Sequence, residues 1–169
     1  VAPLRGAGLT AFVDTPAGPD GVRRVAPMLV RVRDRVYPSL SLQAVLRYWD
    51  LGVAAVRVRV GDAIYIEGAK VRRRIPIDAS GGYLVNYRRS IAGFNVLSYA
   101  TVVTDFTQKY LQKQDLTVPD VAGKILLIGQ MSTGLSDNGP TPFSPETPLV
   151  LVHANVIENI LREDYARPL

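Results

Sequence analysis

The stretch GPTPFSPETPLVLVHANVIENIL, residues 139–161, sets a proline-rich loop directly before an apolar run. Apolar residues recur at helical spacing at Val152, Val156 and Ile160, which predicts a helix that begins near Val152 and closes the chain. Each proline fixes its own backbone angle φ, and the four prolines together stiffen the loop. The prolines are Pro140, Pro142, Pro145 and Pro148. The stretch therefore predicts the last helix and a rigid entry into it.

His153 is the only histidine of the chain and lies in the first turn of this predicted helix. One hypothesis is structural: the ring hydrogen-bonds the incoming loop while its apolar neighbours pack. A second is ligand binding, with the loop and the segment around Tyr87 forming a polar pocket near His153. A third is pH sensing, because a histidine titrates near neutrality. The residues predicted to bind a ligand are Asn86, Tyr87, Arg88, Asp137, Thr141, His153 and Asn155.

Two more helices are predicted upstream. In PSLSLQAVLRYWDLG, residues 38–52, Ser39 or Ser41 can cap the start and Gly52 can end the helix. The second helix follows the capping residue Ser98. The apolar face of the first helix is predicted to lie in the core, and it consists of Leu42, Val45, Leu46 and Trp49.

Strand patterns fill most of the remaining chain. Residues 9–13 and 22–36 read as a hairpin around turn chemistry at 16–21, and residues 63–89 read as short strands joined by tight turns. The apolar run GKILLIG, residues 123–129, is typical of a strand covered on both faces. The predicted fold is α/β: a mixed β-sheet with flanking helices and a hairpin-like N-terminal portion.

Arginine alternates with valine in VRVRDRV, residues 30–36, and in AVRVRVG, residues 55–61. Period two places the valines on one sheet face and the arginines on the other, either as a solvated face or as an anion-binding face. A run of three arginines forms a further candidate basic patch. Aromatic residues do not interleave with these arginines, so nucleic acid is not expected as a partner. The arginines are Arg31, Arg33, Arg35, Arg57, Arg59, Arg72, Arg73 and Arg74.

Motifs that carry catalysis or cofactors are weak. The segment GQMSTG, residues 129–134, contains Ser132 but lacks the Gly-x-Ser-x-Gly spacing of a nucleophile elbow. A hydrolase that uses Ser132, Asp137 and His153 stays open as an alternative. Phosphate-binding glycine motifs are missing, and one histidine without cysteines does not make a transition-metal site. We expect no cofactor and no metal.

Hydropathy and charge set the remaining bounds. The 169 residues carry a net charge of +5 and no cysteine, and 47% of them are hydrophobic, enough for the core of one domain. Neither a run of about 18 apolar residues nor a secretion leader is visible.

Five segments resemble, in order and approximate spacing, the second CHASE family of cyclase- and histidine-kinase-associated sensory extracellular domains. They are GLTAFVDTPAGPDGVRRVAP (8–27), YPSLSLQAVLRYW (37–49), RIPIDASGGYLVNYR (74–88), FNVLSYATVV (94–103) and the long segment 123–161. Arg89 and Leu151 depart from the family pattern, which has glycine and glutamate there, whereas His153 and Asn155 match it. Members begin with strand–helix units that precede Val1, so the resemblance implies the C-terminal portion of such a domain.

The resemblance implies a single sensory domain over residues 1–169, on the extracytoplasmic face of a bacterial cell membrane. It would relay an unknown small molecule or stimulus to a cytoplasmic cyclase, histidine kinase or diguanylate cyclase, and would not itself be an enzyme. A homodimer tethered to the membrane is the expected form. Besides the hydrolase, a surface scaffold that binds anionic polymers or lipid through its arginines stays open.

Overall fold

The structure is a computed structural model of the chain, and it describes residues 9–112, 121–131 and 137–166. The helices are α1 (Leu40–Tyr48), α2 (Tyr99–Gln112) and α3 (Val150–Arg162), with 3₁₀ turns at Val53–Ala55 and Ile91–Gly93. The strands are β1 (Val25–Pro27), β2 (Leu29–Val32), β3 (Arg35–Pro38), β4 (Val56–Arg59), β5 (Ala63–Glu67), β6 (Arg72–Pro76), β7 (Gly82–Leu84), β8 (Asn138–Gly139) and β9 (Thr147–Pro148). This combination of helices and strands confirms the predicted α/β class.

The chain divides into two compact units. The larger unit consists of Val1–Arg88 with Leu127–Leu169, and the smaller one is Arg89–Leu126. The smaller unit holds α2 and the second 3₁₀ turn. The helix predicted after Ser98 is thereby confirmed. The expectation of a single sensory domain over residues 1–169 stays a prediction.

Helices α1 and α3 pack against one another in the larger unit and supply much of its core. Val45 and Leu46 of α1 are fully buried, as are Val156 and Ile160 of α3. Burying such a side chain stabilises the fold by about 1.5–3 kcal/mol. The apolar face predicted for α3 therefore lies in the core, as do Leu42, Val45 and Leu46 of α1. Trp49, the fourth residue predicted for the α1 face, is half-buried and follows the helix as its C-cap.

Helix α1 begins and ends with local hydrogen-bonding motifs. The Ser39 hydroxyl accepts a hydrogen bond from the Leu42 N–H at 3.2 Å, so Ser39 is the N-cap. At the other end the N–H of Leu51 donates to the Leu46 carbonyl, and Asp50 adopts a left-handed φ of 54°. This is a Schellman ending with aspartate at the position where glycine is most common. Asp50, two residues before the predicted Gly52, therefore takes the role of the helix-ending residue.

The antiparallel sheet β4–β5–β6 presents one apolar face to this core. Its register pairs Val58 with Ile64 and Ile64 with Ile75, which places these side chains on one face. Ile64, Ile66 and Ile75 are fully buried. In the described residues the other strands form small two-stranded antiparallel sheets, in which β1 pairs with β7, β2 with β3, and β8 with β9.

The N-terminal hairpin lies further along the chain than predicted. It consists of β2 and β3, with Arg33 in the turn at a φ of 57°. Residues 9–13 do not pair with residues 22–36; instead Phe12 forms a parallel bridge with Ser39. The prediction used the turn chemistry at residues 16–21, but that loop connects segments with different partners, and strand partners depend on distant contacts.

The apolar run 123–129 is not a buried strand. It forms no strand in the structure, and Leu126 and Ile128 are 60% and 84% exposed. An apolar run becomes a central strand only when neighbouring strands and covering helices are available, and the described residues do not supply them here. Within residues 9–112, 121–131 and 137–166, no helix has both the length and the apolar character needed to cross a bilayer.

Candidate functional site

Helix α3 carries three buried polar side chains, His153, Asn155 and Asn159, between fully or nearly buried valines and isoleucines. Their exposed fractions are 5%, 1% and 1%. A buried polar group without a partner costs about 1–3 kcal/mol, so each of these side chains needs hydrogen bonds inside the fold. Their partners define the candidate site.

His153 joins three segments of the chain. Its Nε2 lies 3.2 Å from the carbonyl oxygen of Val13, and its Nδ1 lies 3.0 Å from the hydroxyl oxygen of Ser41 in α1. A carbonyl oxygen only accepts, so Nε2 carries the proton and donates it, while Nδ1 accepts from the Ser41 hydroxyl. The geometry therefore fits a neutral imidazole. The partners differ from the proline-rich loop that the structural hypothesis named.

The environment of His153 favours this neutral form. Burial lowers the pKa of His153 below its ordinary value of 6.5, against the opposing effects of the hydrogen bond to Val13 and the negative charge of Asp137. The backbone carbonyl of Asp137 accepts from the N–H of Leu149, which fixes the chain just before α3. The backbone of Asp137 thus holds the entry to α3, while its charge acts on His153.

Asn159 binds the backbone of the segment that follows β7. Its Oδ1 accepts from the N–H of Asn86 at 3.0 Å and from the hydroxyl of Tyr83 at 3.1 Å, and its Nδ2 donates to the carbonyl of Asn86 at 3.0 Å. One amide side chain thus satisfies both backbone groups of a residue on a neighbouring segment.

Asn155 makes the matching contact one helical turn earlier. Its Oδ1 accepts from the N–H of Arg88 at 3.1 Å, and its Nδ2 donates to the Leu151 carbonyl at 2.9 Å. Four residues of helix advance about 6.0 Å, and two residues of extended chain advance about 6.6 Å. Asn155 and Asn159 therefore reach Arg88 and Asn86 with matching spacing. We call these two asparagines and the backbone of residues 86–88 the asparagine clamp.

The side chains of Asn86 and Arg88 extend the clamp beyond the end of α3. Nδ2 of Asn86 donates to the backbone carbonyl and to Oδ1 of Asp164, both at 3.1 Å. The guanidinium of Arg88 meets the same carboxylate through Nε and Nη2, at 2.9 and 3.0 Å. The Arg88 side chain is 60% exposed, so this pair contributes modestly to stability and is open to solvent.

Tyr87 points to the side opposite Asn86 and Arg88, as alternation predicts. Its hydroxyl donates to the Arg23 carbonyl at 2.8 Å, and its ring meets Phe143 edge-to-face at 5.7 Å between centroids. Burial raises the pKa of Tyr87 to about 12. Tyr87 therefore contacts the proline-rich loop, as the pocket hypothesis required.

Thr141 holds that loop together from within. It is 6% exposed, and its hydroxyl lies 2.7 Å from the hydroxyl of Thr147. Backbone hydrogen bonds run both ways between Thr141 and Ser144, and the N–H of Arg23 donates to the Pro140 carbonyl at 2.9 Å. The loop is thus rigid and fixed to the chain near β1.

The predicted ligand-binding residues therefore form three groups. Asn86, Arg88 and Asn155 share the asparagine clamp, and Tyr87 contacts the proline-rich loop that contains Thr141. His153 bonds to α1, and Asp137 acts on it through its charge. Two cavities in the described residues, of about 360 and 200 Å³, are lined by other residues. Ligand binding by this set stays a prediction.

The hydrolase alternative also stays a prediction. Ser132, its nucleophile, lies outside the described residues. In the described part of the chain, histidine, aspartate and glutamate side chains do not gather in groups of three or more that could hold a metal ion.

Arg73, the middle residue of the predicted basic run, caps α3. Its guanidinium donates to the carbonyls of Ile160 and Leu161 at 3.2 and 3.4 Å, pairs with Glu163 at 2.9 Å and lies 5.2 Å from the centre of the Trp49 ring. A cation at a helix C-terminus satisfies carbonyls that lack partners and matches the helix dipole. Arg73 therefore stabilises the C-terminal end of α3.

Asp62 balances part of the remaining arginine charge. Its carboxylate accepts from the hydroxyl of Tyr65 at 2.7 Å and pairs with Arg74 and Arg59. The hydrogen bonds from Tyr65 and Arg74 hold the pKa of Asp62 below its usual value. Asp62, in the turn between β4 and β5, thus neutralises part of the positive charge on the arginine face of the sheet β4–β5–β6.

Sequence reasoning missed four residues of these networks: Ser41 as a partner of His153, Asn159, Arg73 as a cap, and Asp164. Asn155 and Asn159 stand four residues apart on a helix that is otherwise apolar on that face. Two amides at that spacing predict a shared backbone partner, because each needs one when it is buried. That pattern was available in the sequence.

Comparison with known proteins identifies the family. The family model described as the CHASE2 domain matches residues 2–169, and searches among curated proteins and solved structures give no match. Because the match spans almost the whole chain, the chain belongs to the CHASE2 family, whose members are extracytoplasmic sensory domains of signalling proteins.

Proposed function

We propose that this domain lies outside the cytoplasm as part of a bacterial transmembrane signalling protein, detects a stimulus and relays it to a cytoplasmic cyclase, histidine kinase or diguanylate cyclase. The observation that carries the proposal is the match to the CHASE2 family over residues 2–169. The domain itself acts as a sensor and catalyses no reaction.

Helix α3 is the element that we propose to carry the response. Its first turn is tied to α1 through His153, its middle to residues 86–88 through the asparagine clamp, and its end to Arg73. A ligand or partner that competes for any of these contacts changes the position of α3. In a homodimer, such a shift in each copy is relayed by rearrangement of the attached membrane helices.

The predicted ligand site belongs to this proposal. Arg88 is its accessible member, and its carboxylate partner Asp164 follows α3 directly. An anionic ligand that takes Arg88 away from Asp164 loosens the segment after α3, because Asp164 loses its charged partner and keeps the weaker bonds to the Asn86 side chain and to the Asn159 carbonyl. Binding and helix movement are in this way coupled through one carboxylate.

Cysteine labelling in the full-length parent protein tests the location. These 169 residues have no cysteine, so Val53→Cys gives this domain one thiol, at a side chain that is 64% exposed, and the unsubstituted parent protein gives the labelling background. A membrane-impermeant maleimide should label this variant in intact cells whose outer layers are permeable to the reagent. Ala63→Cys, at a fully buried position, is the matched control and should stay unlabelled until denatured. Labelling of Val53→Cys only after lysis would refute an extracytoplasmic location.

The relay is tested by the output activity of the parent protein. Arg88→Gln removes the pair with Asp164 and should change the basal cyclase or kinase activity at least twofold. Arg57→Gln removes an arginine of similar chemistry that is 79% exposed and pairs with Glu67 of the neighbouring strand, and should leave the output unchanged. Equal outputs of the two variants would exclude the end of α3 as the relay.

A second candidate function is binding to anionic polymers or lipid. Strand register places Arg57, Tyr65 and Arg74 side by side on the solvent face of the sheet β4–β5–β6. Such a face attracts anionic headgroups in a salt-dependent manner. Vesicles with and without anionic lipid, compared at low and high salt, test it; equal binding to both vesicle types would remove this function.

A further inference from the structure

The larger of the two described cavities lies between the proline-rich turn before β1 and the turn before β7, away from the asparagine clamp. Its volume is about 360 Å³, within the range of about 300–1,000 Å³ that is typical of small-molecule sites. Most of its lining is apolar or glycine. The lining includes Pro16, Pro19, Val25 and Pro27 together with the charged residues Asp20 and Arg24.

One wall of the cavity is a turn held by its own hydrogen bonds. The N–H of Gly18 donates to the Val22 carbonyl at 3.0 Å, and the N–H of Gly21 donates to the Gly18 carbonyl at 2.9 Å. The N–H of Val22 donates to Oδ1 of Asp20 at 3.1 Å. The wall therefore exists before any ligand arrives, which spares a ligand the entropy of ordering it.

The opposite wall is equally fixed. Oδ1 of Asp78 accepts from the N–H and the hydroxyl of Ser80, at 2.8 and 2.6 Å, and from the N–H of Gly82 at 2.8 Å. A side-chain carbon at Gly82 would stand 2.5 Å from a methyl carbon of Val25, so only glycine lets the two walls approach this closely. Both turns thus shape the cavity through local contacts.

Two lining residues carry opposite charges. Asp20 and Arg24 form an ion pair at 2.6 Å between Oδ2 and Nη1, and about half of each side chain is exposed. The pair makes the cavity dipolar, with one carboxylate and one guanidinium beside an apolar wall of proline and valine. Because Oδ1 of Asp20 is used by the turn, Oδ2 is the oxygen that faces an exchangeable partner.

We propose that this cavity binds an apolar α-amino acid, with Arg24 holding its carboxylate, Asp20 its ammonium group, and the proline and valine wall its side chain. A simple anion would leave Asp20 without a counter-charge, and a simple cation would leave Arg24 without one. A zwitterion replaces the ion pair by two new pairs and adds apolar burial, so its charges fit both side chains at once. This inference names a ligand class for the sensory function proposed above and rests on it.

Titration of the ¹⁵N-labelled 169-residue chain tests the inference by NMR. Leucine, isoleucine, valine and phenylalanine are the probes. At least one of them should shift the amide signals of residues 18–25 and 80–82 with a Kd below about 1 mM. If none shifts these signals at concentrations up to about 10 mM, the inference is wrong.

Blocked amino acids separate the two charges in the wild-type chain, where folding is not a concern. N-acetyl-leucine lacks the ammonium group and leucine amide lacks the carboxylate, so each should bind at least tenfold more weakly than leucine. Binding of N-acetyl-leucine as tight as that of leucine would overturn recognition of a zwitterion.

Two variants locate the charges. Arg24→Gln and Asp20→Asn should each weaken leucine binding at least tenfold; asparagine keeps the oxygen that accepts from Val22 and so preserves the turn. Arg59→Gln is the matched control, because it removes the arginine of another exposed pair, with Asp62, outside the cavity. Unchanged binding in both cavity variants would overturn the assignment.

Amino-acid binding and the sensory role are tested by separate experiments and can fail separately. If the chain binds no amino acid while Val53→Cys is labelled from outside and Arg88→Gln changes the output, the sensory function stands and the ligand class is wrong. If Val53→Cys is labelled only after lysis, the location is wrong whatever the titration gives.

Discussion

His153 ties helix α3 to two distant segments of the chain. It is buried, its environment favours the neutral imidazole, and its partners lie 112 and 140 positions away in sequence. The spacing of residues 139–161 predicted its place in the first turn of a helix, because that depends on local periodicity. Its partners Ser41 and Val13 were not predictable, because only the tertiary fold brings such distant segments together.

Replacing His153 by alanine should destabilise the domain. The variant loses two hydrogen bonds, leaves the buried Ser41 hydroxyl without its partner and creates a cavity, which together amount to about 2–4 kcal/mol of unfolding free energy. Urea denaturation of the variant and the wild type measures this loss of unfolding free energy. The control Ser41→Ala should cost less, and the double variant should lose less than the sum of the two single variants. A melting temperature close to that of the wild type would instead favour a binding role for His153.

Stability should depend on pH through the same residue. Burial holds the folded-state pKa below the ordinary 6.5, so the unfolded chain binds a proton first as the pH falls. The contribution is therefore fully present above pH 6.5 and is lost as the pH falls below it, with a slope of up to about 1.4 kcal/mol per pH unit. Unfolding free energies measured from pH 8 to pH 5 check this. His153→Gln should remove the slope in this range; an identical slope in that variant would assign it to carboxylates.

At the scale of elements, the helices and the short strands of residues 63–84 were predictable, and the partners of the first strands were not. Helix α1 is specified by the Ser39 cap and by apolar residues a few positions apart. The pairing of Phe12 with Ser39, by contrast, depends on contacts far apart in the chain. The prediction of a buried strand over residues 123–129 is wrong for the same reason, because an apolar run does not reveal whether neighbouring strands exist.

The asparagine clamp should respond unequally to the loss of its two members. Asn159→Ala leaves the Tyr83 hydroxyl and both backbone groups of Asn86 without this partner. Asn155→Ala takes a partner from only one backbone group of residues 86–88, the Arg88 N–H, besides the contact with the Leu151 carbonyl within α3. We therefore expect Asn159→Ala to cost about 3–5 kcal/mol and Asn155→Ala about half as much. Hydrogen exchange of the Asn86 amide should accelerate more in Asn159→Ala. Equal effects of both substitutions would show that Asn159 does not hold residues 86–88 more strongly than Asn155 does.

At the scale of the whole molecule, large apolar side chains remain at the surface. Ile128 is 84% exposed and lies in the apolar run 123–129. The run was predicted as core, so its exposure is the largest departure of the structure from the sequence pattern. Exposed apolar segments of this kind favour association between molecules.

Ile128→Lys should therefore improve solution behaviour without loss of fold. The melting temperature should stay within about 2 °C of the wild type, because little apolar area is removed from the core, and concentration-dependent scattering should fall. Ile64→Lys is the contrasting control, since Ile64 is fully buried and its replacement should prevent folding. A large drop in melting temperature for Ile128→Lys would show that this side chain is packed.

The asparagine clamp also restricts how α3 can move. Asn155 and Asn159 bond to alternate positions of residues 86–88, so a slide of α3 along its axis by a fraction of a turn breaks every one of these bonds and makes no new ones. A slide by a full turn, about 5.4 Å, would bring only one of the two asparagines back into register, because Leu151 or Glu163 would take the place of the other. The clamp thus holds α3 at one axial position, and a message that requires its release would be digital, either on or off, and would not vary smoothly with the strength of the stimulus.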